Sequence, residues 1–262
     1  MANSPLRIES ELRLLSLAGK YNINDPADRK RSNVALESLF YGIQDAIKPQ
    51  CILEIGAHGA AFSRDMRDRH ENVPIYAFEA NPHIFESMSG KFNFEALNVR
   101  YLNLAVSDVT GHTEFQIQKS VDGQPASPIR ANNSLLRRTQ ADVEYEAVRV
   151  PSTTLDDFCA AEGLSGRPMS AWIDAEGASE MVLKGASRTL QDIQSIFIEV
   201  EDAEFWTSQW RSGHVMDHLM AHGLHPIARD FEYDLQYNVI FVREPVLANG
   251  IVRYKLATFL HG

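Results

Sequence analysis

From Cys51 onward, short apolar runs alternate with stretches of helical spacing, and no other feature restricts the fold so tightly. The runs are CILEIGA, PIYAFEA, VRYLNLAVS, AWIDAEGA and SIFIEVE. Between them, apolar spacing predicts helices from about Phe62 to His70, His83 to Leu97 and Ser179 to Leu190. Brief strands linked by helices make βαβ units, and these build an α/β domain around a mostly parallel sheet. Two stretches break the rhythm. HTEFQIQ and EAVRVPS, within about 109–153, alternate around a polar loop and predict a β-hairpin-like insertion. HPIARDF and QYNVIFVRE close the pattern as an antiparallel hairpin. Upstream, Leu12, Leu14, Leu15 and Leu17 cluster in one helix. A second carries Val34, Leu36, Leu39, Phe40, Ile43 and Ile47 and ends at Pro49. The expected organisation is a helical extension over 1–50, a domain over 51–245 and a tail over 246–262.

Of 262 residues, 44% are apolar and 23% charged, which is enough for a sizeable core. No apolar run approaches the ~20 residues of a membrane span. The N-terminus lacks the basic start and long apolar stretch of a secretory signal. The net charge of −10 turns expectation away from nucleic acid, where affinity rests on neutralising phosphate. Cys51 and Cys159 form no metal-type cluster and read as buried free thiols. Together these points predict a cytoplasmic protein acting on a small molecule, with no membrane or nucleic-acid partner. The N-terminal helices are the face through which a homo-oligomer would form.

The loop Glu54-Ile55-Gly56-Ala57-His58-Gly59-Ala60-Ala61-Phe62-Ser63 joins the first strand to the first helix. In open parallel sheets, ligands bind at the carboxyl ends of the strands. A dinucleotide site needs G-x-G-x-x-G so that pyrophosphate can approach the helix. Here Gly56 and Gly59 stand alone, and Glu54 would repel pyrophosphate while suiting a positively charged ligand. Glu79, at the end of the second run, has the place of a carboxylate that accepts from a ribose diol. The plain alternative is a turn whose glycines serve packing only.

LEIGAHGAAFS, YAFEANP with NLAVSD, STTLDDF, and WIDAEGASEMVLKGA running on to IFIEVE resemble the FkbM family of S-adenosylmethionine-dependent methyltransferases. The resemblance covers roughly residues 50–245, and the Asp-x-Glu-Gly turn with the following Leu-Lys-Gly-Ala is its most specific part. It implies a class I methyltransferase (Rossmann-like) fold: a seven-stranded mostly parallel sheet with a C-terminal antiparallel hairpin, plus the N-terminal helices and the insertion. It implies S-adenosylmethionine as cofactor and transfer of its methyl to a hydroxyl of a sugar, polyketide or other natural product. It further implies that Glu54, Gly56, His58 and Ser63 line the methionine end. By the same resemblance Glu79, Ala80 and Asn81 meet the ribose and adenosine, Ser107 and Asp108 meet the adenine edge, and Asp174 and Glu176 face the methyl. His58 stands where the family usually has Asn, and Ala60-Ala61 where it often has Gly-Tyr.

A hydroxyl acceptor needs a base within about 3 Å. Asp174 is the first candidate, with Glu199 and His225 as further catalytic candidates. A metal route stays open, in which Mg²⁺ held by Asp174 with Glu199 and Glu201 lowers the acceptor's pKa. Asp174 could instead cap the helix near Ser179, and Glu199 and Glu201 could simply face one side of the sheet. His214, His218 and His222 share a helical face but lack the Glu of a zinc motif. Phe205, Trp206 and Trp210 either stack on an acceptor or seal a helix against the sheet. Arg130, Arg137 and Arg138, with Asn132, Asn133 and Ser134, either cover the ligand or form a solvated face. Two other functions remain open at this level: an NAD-linked oxidoreductase or epimerase, and a non-catalytic binding protein on the same scaffold.

Overall fold

The computed structural model describes residues 5–17, 19–140 and 142–261; within the first helix the side chains of residues 5–8, 11 and 12, Leu12 included, lie outside the description. Two helices come first, α1 (Pro5–Leu17) and α2 (Pro26–Ile47). Asp25 caps α2 by accepting from the Ala27 N–H at 3.0 Å, and Pro26 occupies its first turn. Next come β1 (Cys51–Ile55), α3 (Ala61–Arg69), β2 (Ile75–Phe78), α4 (Pro82–Lys91), β3 (Arg100–Leu102) and β4 (Ala105–Val106). An arm contains β5 (Gly111–Val121), β6 (Gln124–Pro125) and β7 (Val143–Thr153). The chain continues through α5 (Leu155–Ala161), β8 (Met169–Ile173), α6 (Ser179–Lys184), β9 (Ile193–Glu201) and α7 (Ser212–Ala221). It closes with β10 (Leu224–Arg229), β11 (Gln236–Arg243), α8 (Glu244–Ala248) and α9 (Gly250–His261).

The main sheet has seven strands in the order β10-β11-β9-β8-β1-β2-β3, and only β11 runs antiparallel to its neighbours. This is the seven-stranded, mostly parallel sheet expected from the sequence, with its C-terminal antiparallel hairpin. Strand periodicity sends alternate residues to opposite faces. Leu53, Ile55, Ile173, Ile196 and Ile198 pack with α5, α6 and α7. Ile52, Phe197, Ile240 and Val242 pack with Leu36, Phe40 and Ile43 of α2, Phe62 and Met66 of α3, and Val252, Leu256 and Phe259 of α9. Each fully buried side chain of this size contributes about 1.5–3 kcal/mol. The α2 helix therefore covers one face of the sheet rather than extending from it. Within the C-terminal tail, α9 packs on the same face as α2. Cys51 and Cys159 are buried free thiols, and burial pushes them up to about 12 and about 11. Among the described residues no helix is long and apolar enough to cross a membrane.

Local differences from the sequence pattern have visible causes. The run 99–107 is two strands, because Asn103 donates its side-chain amide to the carbonyls of Glu79 and Ala80 and bends the chain between them. β4 then leaves the main sheet and pairs with β7 in a four-stranded sheet ordered β4-β7-β5-β6. The helix expected over 83–97 stops at Lys91. That expected over 179–190 stops at Lys184, and a Cβ at Gly185 would sit 2.1 Å from the Ser107 carbonyl oxygen. The Leu-Lys-Gly-Ala stretch is thus where α6 presses on the strand feeding the arm.

Candidate active site

The turn after β1 is built on left-handed backbone. Gly56 has a φ of +74°, His58 +45° and Ala60 +51°. For the two non-glycine residues this costs about 1–2 kcal/mol each. Hydrogen bonds offset the cost: Gly56 and Ala57 donate to the Phe78 carbonyl at 3.0 and 2.8 Å, and the His58 N–H donates to Glu79 Oε2 at 2.7 Å. The Tyr101 hydroxyl donates to the His58 carbonyl. The turn leans on β8, since a Cβ at Gly56 would fall 1.7 Å from the Asp174 carbonyl oxygen.

Glu54 is buried, and its Oε2 accepts from the Ser63 N–H at 2.8 Å. It thereby serves the start of α3, whose capping residue Ala60 has no side-chain acceptor. Glu79 accepts from His58 through one oxygen and from the Asn81 N–H through the other, at 2.7 Å each. Each of those oxygens keeps a lone pair for a further donor. Burial pushes Glu54 and Glu79 up to about 7, against the pull of these hydrogen bonds.

Two clefts open at the carboxyl ends of the strands. One has Glu79, Ala80 and Asn81 on a wall that continues through Val106 and Phe115. The other reaches toward α2 and α3 and contains Glu37, Tyr41, Arg64 and Trp172. Gly56, His58 and Asp174 line both, so Asp174 stands where the clefts meet. Burial raises its carboxyl, and no hydrogen bond from the described residues draws it back.

Three further carboxylates surround it. Burial, and then the charge of Asp174, raise Glu176 and Glu199, and push Glu201 up to about 7. Arg138 is the cation that opposes this at Glu176 and Glu201. A carboxyl whose pKa is higher folded than unfolded stabilises the fold below its ordinary range, and that stability is lost as pH rises through the folded value. Glu201→Gln is therefore expected to raise the melting temperature little at pH 5 and much more at pH 8.5. The shift from 4.5 to about 7 corresponds to about 3 kcal/mol, or roughly 5–10 °C for a chain of this size. Scanning calorimetry at both pH values measures it, and an equal effect at the two would contradict a buried, raised Glu201.

The arm roofs this end of the sheet. Asn81 is fully engaged: its side-chain oxygen caps α4 by accepting from His83 and Ile84, and its amide donates to the Pro128 carbonyl at 2.8 Å. The Ser134 hydroxyl donates to the Glu176 carbonyl at 2.6 Å. Thr139 and Phe205, and Thr207 and Arg137, pair through backbone N–H and carbonyl groups at 3.0 and 2.8 Å. Arg138 lies over the Trp206 ring at 4.6 Å.

The profile of the methyltransferase FkbM domain matches residues 50–234, more than half of the chain. The chain belongs to the FkbM methyltransferase family. It is an S-adenosylmethionine-dependent methyltransferase. No protein of curated function matches this FkbM methyltransferase in sequence. Among solved structures it is similar to precorrin-6y C5,15-methyltransferase from Geobacter metallireducens, at 11% identity and a TM-score of 0.42 over 79% of this chain and 88% of that one. It is also similar to 1,6-didemethyltoxoflavin-N1-methyltransferase from Burkholderia thailandensis, solved with its substrate and S-adenosylhomocysteine, at 12% identity and a TM-score of 0.41 over 93% and 91%. At those scores the likeness adds no weight to the family match.

Several residues singled out in the sequence meet at this site: Gly56, His58, Glu79, Ala80, Asn81, Asp174 and Glu176 line the first cleft. Others do not. Ser63 is fully buried behind the turn, with its N–H committed to Glu54. Ser107 is buried and donates to Asp108, which is exposed; the cleft wall here is Leu104, Ala105 and Val106 instead. His225 is placed elsewhere altogether. β10 runs parallel to β9, so its first residues lie at the opposite end of the sheet, where His225 pairs with Val242 and Val242 with Ser195. His225 lines a separate cleft with Ser10, Arg13 and Glu244. Asp174, Glu199 and Glu201 repel one another electrostatically, and no three His, Cys, Asp or Glu side chains among the described residues are arranged to hold a metal ion, so the alternative Mg²⁺ route finds no support here. His218 and His222 pack ring against ring at 4.5 Å, beside Trp210. Sequence reading overlooked Phe115 and Leu135, which the arm brings to the cleft from far along the chain.

Proposed function

We propose that this methyltransferase transfers the methyl of S-adenosylmethionine to a hydroxyl oxygen of a small molecule, with Asp174 as the general base. The observation that carries this reading is the Asp174 carboxylate, raised by burial, free of hydrogen bonds from the described residues, and placed where the two clefts meet. The residues present fit the cofactor. Glu79 keeps lone pairs for a ribose diol, and Ile84, Val106 and Phe115 offer an apolar slot for a flat base. The cofactor supplies an electrophilic methyl on a sulfonium, a good leaving group, so the protein's work is positioning and proton removal. The Asp174 carboxylate would accept the hydroxyl proton as the oxygen bonds to carbon, and then hold that proton. A base raised toward neutrality suits this role, because it stays ionised in part and binds the proton firmly.

The test is incubation with methyl-labelled cofactor and a panel of sugars and polyketide alcohols, followed by NMR of the product. A labelled methyl on oxygen is the expected result. A labelled methyl only on carbon or nitrogen would overturn the reading.

A further inference from the structure

Past Asp174, the carboxyl end of β9 is acidic and incompletely hydrogen-bonded. Glu199 and Glu201 extend beyond the paired end of β8, since Ile173 is level with Ile198. Glu201 is 2% exposed, and its Oε1 accepts no hydrogen bond from the described residues; nor do Oε1 of Glu199 and Oε2 of Glu176, the last lying only within ion-pair range of Arg138. Buried acceptors of this kind destabilise the fold unless something donates to them. Trp206 is an independent sign of an absent ligand. Its indole is 1% exposed, its Nε1–H has no partner among the described residues, and it faces the Asp-Ala-Glu-Gly turn, 2.9 Å from where a Cβ on Gly177 would stand. The charged and polar groups packed against the cluster are few. Arg138 comes from the arm, 4.0 Å from Glu176, while Gln236 faces Glu199 and Gln209 faces Glu201. Toward α2 the cleft shared with Asp174 carries both signs: Glu37, raised by burial and then by Glu232, Asp230 and Asp65, and Glu54 and Asp65 stand with Arg64 and Lys91.

An indole N–H with no acceptor and carboxylate oxygens with no donor ask for one guest carrying both hydroxyl oxygens and a strong donor. We propose that the acceptor is a polyhydroxylated amine, of the amino-sugar or aminocyclitol class, whose ammonium sits between Glu199 and Glu201 while a neighbouring hydroxyl faces Asp174. This rests on the O-transfer reading. The ammonium donates to the free carboxylate oxygens, and a hydroxyl of the same ring accepts from Trp206. Binding a cation favours the ionised carboxylates, so protons leave the protein as the amine enters.

The test is calorimetric titration of the full chain, saturated with S-adenosylhomocysteine, at pH 7. The probes are matched pairs: glucosamine against glucose and N-acetylglucosamine, and 2-deoxystreptamine against myo-inositol. The amine of at least one pair is expected to bind tenfold or more tighter than its neutral partner. It should also release protons, read from the change in heat between buffers of different ionisation enthalpy. Glu199→Gln and Glu201→Gln should each erase most of that preference, and the buffer comparison on the unaltered protein needs neither variant. Neutral partners binding as tightly as the amines, or no amine binding at all, would overturn the inference. Labelled methyl on the oxygen of a neutral sugar with no amine preference would overturn it too, yet leave O-transfer standing. Methyl on nitrogen would overturn both.

Discussion

Asp174→Asn is expected to fold, to bind S-adenosylhomocysteine within a few-fold of the unaltered protein, and to transfer methyl about 10²–10⁴-fold more slowly. The change keeps the shape of the side chain and removes its capacity to take a proton. Binding should survive because the turn touches the Asp174 backbone, not its carboxylate: Gly56 presses on the carbonyl oxygen, and the Asp174 N–H donates to the Ile55 carbonyl at 2.9 Å. The unaltered enzyme should gain activity as pH rises through the raised Asp174 range, above its ordinary 3.8, because only the ionised form accepts the proton. The neighbouring carboxyls share this titration, so the rise should be broader than that of a single group. Single-turnover rates with labelled cofactor, at several pH values, measure both effects. A variant within fivefold of the unaltered rate would move the base elsewhere, with Glu199 next in place.

The strand framework was legible because β1, β2 and β8 are short runs buried on both faces, and such runs are apolar at most positions. The turn after β1 and the place of Glu79 were legible for the same reason, since both sit where an apolar run stops. What failed is what depends on distant partners. The bend at Asn103 is set by two carbonyls at the end of β2, and the polar residue alone does not announce it. His225 looked apt because it opens a strand, but strand direction decides which end of the sheet an opening residue occupies, and local pattern carries no direction. Glu199 and Glu201 alternate with Ile198 and Val200, as in any half-buried strand; only the end of β8 at Ile173 leaves them beyond its last pair, close enough to feel the charge of Asp174. Asn81, which the resemblance places beside the adenosine, does line the first cleft, and only the structure shows that it also holds α4 and the arm together.

The two glycines of the turn look alike in sequence, and their substitution separates them. Gly59→Ala should be mild, under about 1 kcal/mol, because its Cβ would meet Met88 Sδ at an ordinary 3.4 Å. Gly56→Ala should be severe. Its φ of +74° is strained for any side chain, and its Cβ would fall 1.7 Å from the Asp174 carbonyl oxygen, far inside contact distance. Relief requires prising the turn from β8. That separation would stretch the Gly56 and Ala57 hydrogen bonds to Phe78, and with them the His58 N–H that holds Glu79. A loss of about 4 kcal/mol is expected, or a fall of roughly 10 °C in melting temperature. Because the same shift displaces both Glu79 and Asp174, cofactor binding and turnover should fall together, unlike in Asp174→Asn, where turnover falls alone. Calorimetric melting and S-adenosylhomocysteine titration of the two variants side by side decide it. Equal behaviour of Gly56→Ala and Gly59→Ala would mean that the turn does not lean on β8, and that Asp174 is not held at the meeting of the two clefts by the turn.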